Sequence, residues 1–514
     1  MPTPLPNYLL SLLFLYSCLS AEPKKLPLRE AISSALEHNL GIRTAAFASA
    51  NARDSVQIES AAFDAEIFGS FSSQARQSAA ANSTLDSALV PESDSRRARI
   101  GVGKRFATGT TATVNSSINR RGSNNNALRN PDYGADVSLL IRQPLLKGAW
   151  STVNLAPVAR AKANAQRTLF ELRSDILDLL LETEIAYWNL AYARADCALI
   201  TSSLALAQNL LNENSERERL GLVTALEVLQ AKAEVLNRQE NIIQAERVIE
   251  DAEDNLRRYM GQTDLIDEIT ENIFVSDLPE ALEALRPMQD VLHDTLASDA
   301  DAKAQERRIE IERINRVIAQ DATRSDLDLT AGISYLGRDN DGQGAYRGAY
   351  YGDGYDWNIG LEIRMPWGFR ETRARARQAA RNLEKASLQL HDIKQEKALA
   401  ARSAWRSAST GLKRIEVTRA AMEINQQAFQ QERARYGSGL VAYRSVLEAQ
   451  RDFDQAKSKY LKSLIETLRS VVRLGRVDGT LLARNGFTWN TAKPHSIFTA
   501  PQVEPLVNTI SKLP

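Results

Sequence analysis

A mainly α-helical chain with a membrane β-barrel portion is predicted for these 514 residues, and three observations predict it. The first is the stretch Arg433 to Leu474, which breaks at Gly437-Ser438-Gly439 and then repeats large side chains at Val446, Phe453, Tyr460, Thr467 and Leu474. Ala449, Ala456, Ser463 and Ser470 follow three places after the first four. This heptad seam lets a neighbouring helix approach closely. The second observation is that the design recurs 218 positions earlier, Gly439-Leu440-Val441 matching Gly221-Leu222-Val223. Val228, Val235, Ile242, Ile249 and Leu256 then form the large series, with Ala231, Arg238, Ala245 and Ala252 between them. The third is that segments of period-two alternation precede each long helical stretch. Together they predict a duplicated strand-strand/long-helix-hairpin unit, with a first repeat over 22–285 and a second over 286–482.

The chain opens on residues 1–21, which read as an export signal. Tyr8 to Leu19 is an apolar run too short for a membrane span, and small residues follow it. Leu15-Tyr16-Ser17-Cys18 resembles a lipobox, so ordinary cleavage and lipidation at Cys18 both stay open. Helix is predicted from Leu26 to about Ala62, with Leu28, Ile32, Leu36 and Leu40 on one face. Strands follow at about 63–77 and 135–144, the latter carrying Val137, Leu139 and Ile141 up to Pro144. Between them lie polar loops and an extra hairpin at 99–118, expected as an external loop extension, with added barrel strands as the alternative.

The second copy repeats the order. A helix is predicted from about Met288 to Thr323, then strands at about 327–338 and 356–366, separated by a Gly/Tyr-rich loop over 337–355. Leu329, Ile333, Ile359 and Ile363 are expected to face lipid, and Thr330, Ser334, Gly360 and Glu362 a lumen. Tyr346, Tyr350, Tyr351, Tyr355 and Trp357 cluster where an interfacial girdle would sit. Any membrane crossing must be by closed strands, because no apolar run of helical spanning length follows the leader. Four strands per chain cannot close a barrel alone, so oligomerisation must supply the rest. The helical stretches after Pro144 and Pro366 would each reach on the order of 110 Å if unbroken.

Composition excludes several classes. The 64 basic and 64 acidic residues balance, so nucleic-acid binding is not expected. Cys18 and Cys197 give no disulfide framework, and His38, His293, His391 and His495 are too scattered for a metal site. No catalytic motif is present, so neither enzyme activity nor a cofactor is expected.

Four segments carry a resemblance: Leu28-Arg29-Glu30-Ala31, Arg142-Gln143-Pro144-Leu145-Leu146, Leu220-Gly221-Leu222-Val223 and Arg435-Tyr436-Gly437-Ser438-Gly439-Leu440. With the duplicated element order from about Leu26 to Leu482, the chain resembles the TolC-like outer-membrane efflux family. That resemblance implies a homotrimer in outer-membrane lipid, a trimeric α-barrel continuing a 12-stranded β-barrel into the periplasm. It implies a passive exit duct of a tripartite efflux or secretion system, opened by a periplasmic adaptor and driven by an inner-membrane pump. The rival class is an exported periplasmic coiled-coil structural or adaptor protein, which would lack the duplicated strand pairs. Residues 262–287 match the family's mid-tunnel belt, and 483–514 read as a disordered tail.

The turns at Leu220, Gly221, Leu222 and at Gly437, Gly439, Leu440 are expected to form the tips that dock the adaptor. Carried over by position, Glu448 is implied as an acid at the pore entrance, while Ser445 has lost a second acid. Glu227 is implied as the carboxylate that meets Tyr436 in a gate link. Val441 and Leu226 replace another polar link by apolar contact.

Overall fold

The computed structural model describes residues 25–77, 90–124, 129–262, 273–275, 279 and 284–487. The leader with Cys18 and residues 488–514 lie outside them. In chain order the elements are β1 (Lys25–Leu26), α1 (Leu28–His38), α2 (Leu40–Ala61), β2 (Ala65–Gln77), β3 (Glu92–Arg105), β4 (Thr111–Ser123) and β5 (Asp132–Pro144). Next come α3 (Ser151–Asn154), α4 (Ala156–Arg219), α5 (Ala225–Met260), β6 (Phe274–Val275), α6 (Met288–Ser298) and α7 (Ala300–Asp321). The chain continues through β7 (Asp326–Asp339), α8 (Gly342–Tyr351), β8 (Gly354–Arg364), α9 (Arg370–Gly437), α10 (Tyr443–Val477) and α11 (Leu481–Arg484). Two compact units cut across the sequence repeats. One comprises Met1–Ala46, Leu172–Ala300 and Lys394–Pro514, the other Phe47–Glu171 and Asp301–Ile393.

The second of these units holds a six-stranded sheet in the order β2-β3-β4-β5-β7-β8, antiparallel throughout. Its register sorts the side chains row by row. Ile67, Val102, Val114, Leu139, Ile333 and Trp357 lie opposite one another across all six strands. The next row, one residue along and therefore on the other face, is Phe68, Gly101, Asn115, Ser138, Ser334 and Asp356. Leu329, Ile333, Ile359 and Ile363 share the apolar face, and Thr330, Ser334, Gly360 and Glu362 the opposite one, as the alternation predicted.

Three sequence expectations are corrected here. The extra hairpin is no external extension: β3 and β4 are longer than 99–118 and sit inside the sheet, which has six strands where four were expected. The polar loop expected after that hairpin is in part strand: Asn115, Ser117, Asn119 and Arg121 line one face of β4, so half of each period carries no apolar signal. The loop at 337–355 contains α8, which starts at Asp341, whose side chain accepts from the Gly344 amide, and stops at the left-handed Gly352. Ala345, Gly348 and Ala349 form its buried stripe. They pack on the apolar face beside Tyr133 and Ala135, where a Cβ on Gly337 would sit 2.0 Å from the Ala345 carbonyl oxygen. Tyr350 and Tyr351 stay 85% and 76% exposed.

The other unit is helical. Ile32, Leu36, Leu172, Ile176, Leu180 and Val472 form one core cluster, joined by Leu481, Leu482 and Phe487. The tail boundary at 483 is thereby corrected, because Phe487 is buried and closes that core. The helix predicted over 26–62 is broken at Asn39, whose side chain takes the Ile42 amide at 3.2 Å and donates to the Tyr259 carbonyl at 3.1 Å. Asp299 breaks the second copy in the same extended conformation. A second cluster packs Ala31, Tyr187, Leu190, Leu256 and Met260 under Val275. There β6 pairs in parallel with β1, and the rest of the expected belt lies largely outside the described residues. Among the described residues no helix is long and apolar enough to cross a membrane.

The face assignment predicts unequal costs for one added charge. Ile359→Arg at the apolar midplane should cost about 2–4 kcal/mol, and Asn358→Arg on the polar face much less. The yield of membrane-inserted protein for the two variants checks it, and equal yields would refute the assignment.

Candidate functional site

Both hairpin tips in the helical unit are built alike. At the end of α4 the Gly221 amide donates to the Glu218 carbonyl and the Leu222 amide to the Arg217 carbonyl, each at 2.8 Å. At the end of α9, Gly439 donates to Tyr436 at 3.0 Å and Leu440 to Arg435 at 2.9 Å, the same paired cap. The cap needs a left-handed residue, and Gly221 and Gly439 supply φ of 73° and 74°. Leu220, Leu222 and Leu440 are 66%, 71% and 71% exposed, and Leu226 is exposed beside them. Gly437 ends α9 in open space. No seam position named above is exposed along α5 or α10.

Just inside the tips, Leu210, Ala231, Phe429, Tyr436, Tyr443 and Val446 form an apolar cluster, with Val441 packed against it. Tyr436 donates its hydroxyl to Asn214, which is wholly buried. Glu227, the carboxylate implied as its partner, lies near enough for its charge to disfavour the phenolate, while the hydroxyl itself is turned to Asn214 on α4. Arg217 lies over the Tyr436 ring, 4.4 Å from its centroid, and donates to the Tyr436 carbonyl at 3.3 Å. Burial pushes the Tyr436 phenol above its ordinary range and raises that of Tyr443 to about 12. Asn214 Nδ2 has no hydrogen-bond partner among the described residues.

A charged layer follows. Arg238 bridges Asp454 at 2.8 Å and Glu234 at 3.0 Å, Arg451 reaches Glu234 at 2.6 Å, and Ser203 donates to Asp454 at 2.6 Å. These residues tie α4, α5 and α10 together. The sequence did signal them: Arg238 occupies a seam position where Ala231 and Ala245 stand one heptad away, and a charge there requires partners. Glu448 lies on the exposed side of α10, paired with Arg444 at 2.9 Å. Among the described residues no cluster of side chains could hold a metal ion.

Helical hairpins with matched tips, joined in one chain to an antiparallel sheet with one apolar face, define a protein of the channel-tunnel class. The family described as outer membrane efflux protein matches residues 31–262 and 291–480, and the chain belongs to that family. Membership places it in the outer membrane, extending into the periplasm. Two Pseudomonas putida proteins, the probable efflux pump outer membrane protein SepC and the toluene efflux pump outer membrane protein TtgF, are each 26% identical over 316 residues. That alignment covers 60% of this chain and spans 62% of the length of each relative. The Campylobacter jejuni CmeC outer membrane channel superposes with a TM-score of 0.65 at 16% identity, over 88% of this chain and 85% of CmeC. The open state of Neisseria gonorrhoeae MtrE gives 0.62 at 16% identity, over 88% of each chain.

The buried phenol makes the tip sensitive to alkali. With its folded value raised above the free tyrosine value of about 10, Tyr443 contributes stability that is intact below pH about 10 and lost as pH rises toward about 12. The protection of α10 amides, after correction for the hydroxide catalysis of exchange itself, should therefore fall across that window and much less so in Tyr443→Phe. An equal loss of protection in the variant would exclude this phenol as the cause.

Proposed function

We propose that the chain is the outer-membrane exit duct of a tripartite efflux or secretion system. It works as a passive homotrimer with no catalytic step, opened by a periplasmic adaptor and driven by an inner-membrane pump. The observation that carries this reading is the row-by-row separation of apolar and polar side chains across the sheet, the pattern of a barrel wall between lipid and water. Membership in the efflux family supports it. In the same reading the chain is two copies of one unit, 22–285 and 286–482, supported by the identical caps at Gly221 and Gly439. The cargo is set by the pump, and toluene belongs to the name of TtgF alone.

The tips meet the adaptor through Leu220, Leu222 and Leu440, exposed apolar anchors on rigidly capped turns. Replacing Gly221 and Gly439 together with Glu should leave trimers in the membrane and abolish export. The double Ala variant, which carries the same positive-φ strain of roughly 1–2 kcal/mol per site without the bulk, should retain most export. Full export by the double Glu variant would sink the docking role.

Three-fold symmetry in this reading brings three Glu448 carboxylates together at the entrance, where concentrated negative charge attracts cations. Tyr436, held by Asn214 and Arg217 with Glu227 beside it, belongs to the closed gate. In planar bilayers Glu448→Ala should lower cation preference and block by trivalent cations. Unchanged selectivity and block would remove Glu448 from the pore. An absence of any conductance in the parent protein would refute the duct itself.

A further inference from the structure

We infer that three copies of this chain close an eighteen-stranded barrel, in which β8 of one copy pairs with β2 of the next. The inference rests on the trimeric reading above and gives that trimer a wall half as large again as the twelve strands the resemblance implies.

Four observations carry it. The hairpin β3–β4 is paired along its whole length on both sides, from Ala65 opposite Lys104 to Gln77 opposite Glu92, and from Thr111 opposite Arg142 to Arg121 opposite Asp132. It therefore stands between the two strands that four-stranded pairing would join directly. Next, the hairpin continues the two-faced pattern without a break. Ile100, Val102 and Val114 are 61%, 44% and 50% exposed on the apolar face, while Thr113, Asn115 and Ser117 alternate on the other. A hairpin surrounded by water has no reason to keep one face apolar, whereas a strand in lipid must.

The hairpin is also locked at the end where the strands meet their helices. Gly109 turns at φ 85°, and a Cβ there would lie 2.3 Å from the Gly148 carbonyl oxygen and 2.8 Å from Asn154 Nδ2. Arg105 donates to Asn154 Oδ1 at 2.8 Å, and Asn154 in turn donates to the Gly148 carbonyl at 2.7 Å. On the polar face Phe68 covers Gly101, where a Cβ would meet the ring at 2.4 Å. The last observation concerns the edges. β2 and β8 end the strand order, with 13 and 11 residues, each long enough to cross as a tilted strand of about 9–11 residues. Six alternating strands leave these two edges antiparallel, so the edge of one copy continues the ladder of the next. An open edge is not tolerated in hydrocarbon, and a second copy is the one partner whose strands have matching length and alternation. Barrel diameter grows roughly linearly with strand number, so the bore would be about one and a half times that of twelve strands, in the range where porins hold an aqueous channel.

The test is electron cryomicroscopy of the full chain extracted in detergent, with cysteine labelling of intact cells alongside. Eighteen strands around a three-fold axis are expected. In cells, a membrane-impermeant maleimide should label Asn115→Cys through the lumen and leave Ile100→Cys unlabelled in lipid. A trimer closed by twelve strands, with both cysteines labelled alike, would overturn the strand count and leave the duct standing. A chain that forms no trimer and no barrel would overturn both.

Discussion

Backbone amides in hydrocarbon find no water, and the sheet of this chain is arranged around that one constraint. Among the described residues no helix is long and apolar enough to cross a membrane. Strands satisfy their amides only through neighbours, and this chain pairs β3, β4, β5 and β7 on both sides. The alternation of Ile67, Val102, Val114, Leu139, Ile333 and Trp357 with a polar row is the second consequence of that solvent. Even α8 obeys it, because its small stripe of Ala345, Gly348 and Ala349 lets helix backbone approach strand backbone at Gly337 on the apolar side.

The helical unit answers a different constraint, that of holding long helices in water with few large side chains. Close approach does much of the work. Thr418 and Ser463 share a hydrogen bond of 2.8 Å across the seam, and a Cβ on Gly411 would meet Thr467 Oγ1 at 2.5 Å. Apolar clusters at Leu172–Leu180 and around Tyr187 and Leu256 supply the remainder. Near the tips the seam turns polar, and Arg238 with Glu234, Asp454 and Arg451 replaces packing by charge pairs. Such pairs contribute little net stability over apolar packing, but they penalise any register that separates the partners.

Much of the site and fold was legible from particular residues. The heptads at Val446 and Val228, the Gly-Leu-Val turns and the strand alternation each follow from a period in the sequence, and each sits where that period puts it. The part of β4 beyond residue 118 was not legible, because one of its faces is made of Asn, Ser and Arg, the same letters that spell a loop. Helix α8 was hidden for a related reason: a stripe of Gly and Ala carries almost no hydrophobic signal, although it packs closely. The breaks at Asn39 and Asp299 escaped because a single polar residue in a helical pattern is usually tolerated. Only the Tyr259 carbonyl, supplied 220 residues later, shows why Asn39 turns the chain.

The sequence by itself determined the element types, the duplicated tips and which side chains share a face, because these depend on periods of two and seven along the chain. The tertiary structure alone decided which strands are neighbours, and hence that the hairpin lies in the sheet between β2 and β5. It alone decided that Tyr436 turns to Asn214 and that Arg238 finds Asp454. Those are pairings between residues distant in sequence, and a one-dimensional pattern fixes what a residue needs without fixing which distant residue supplies it.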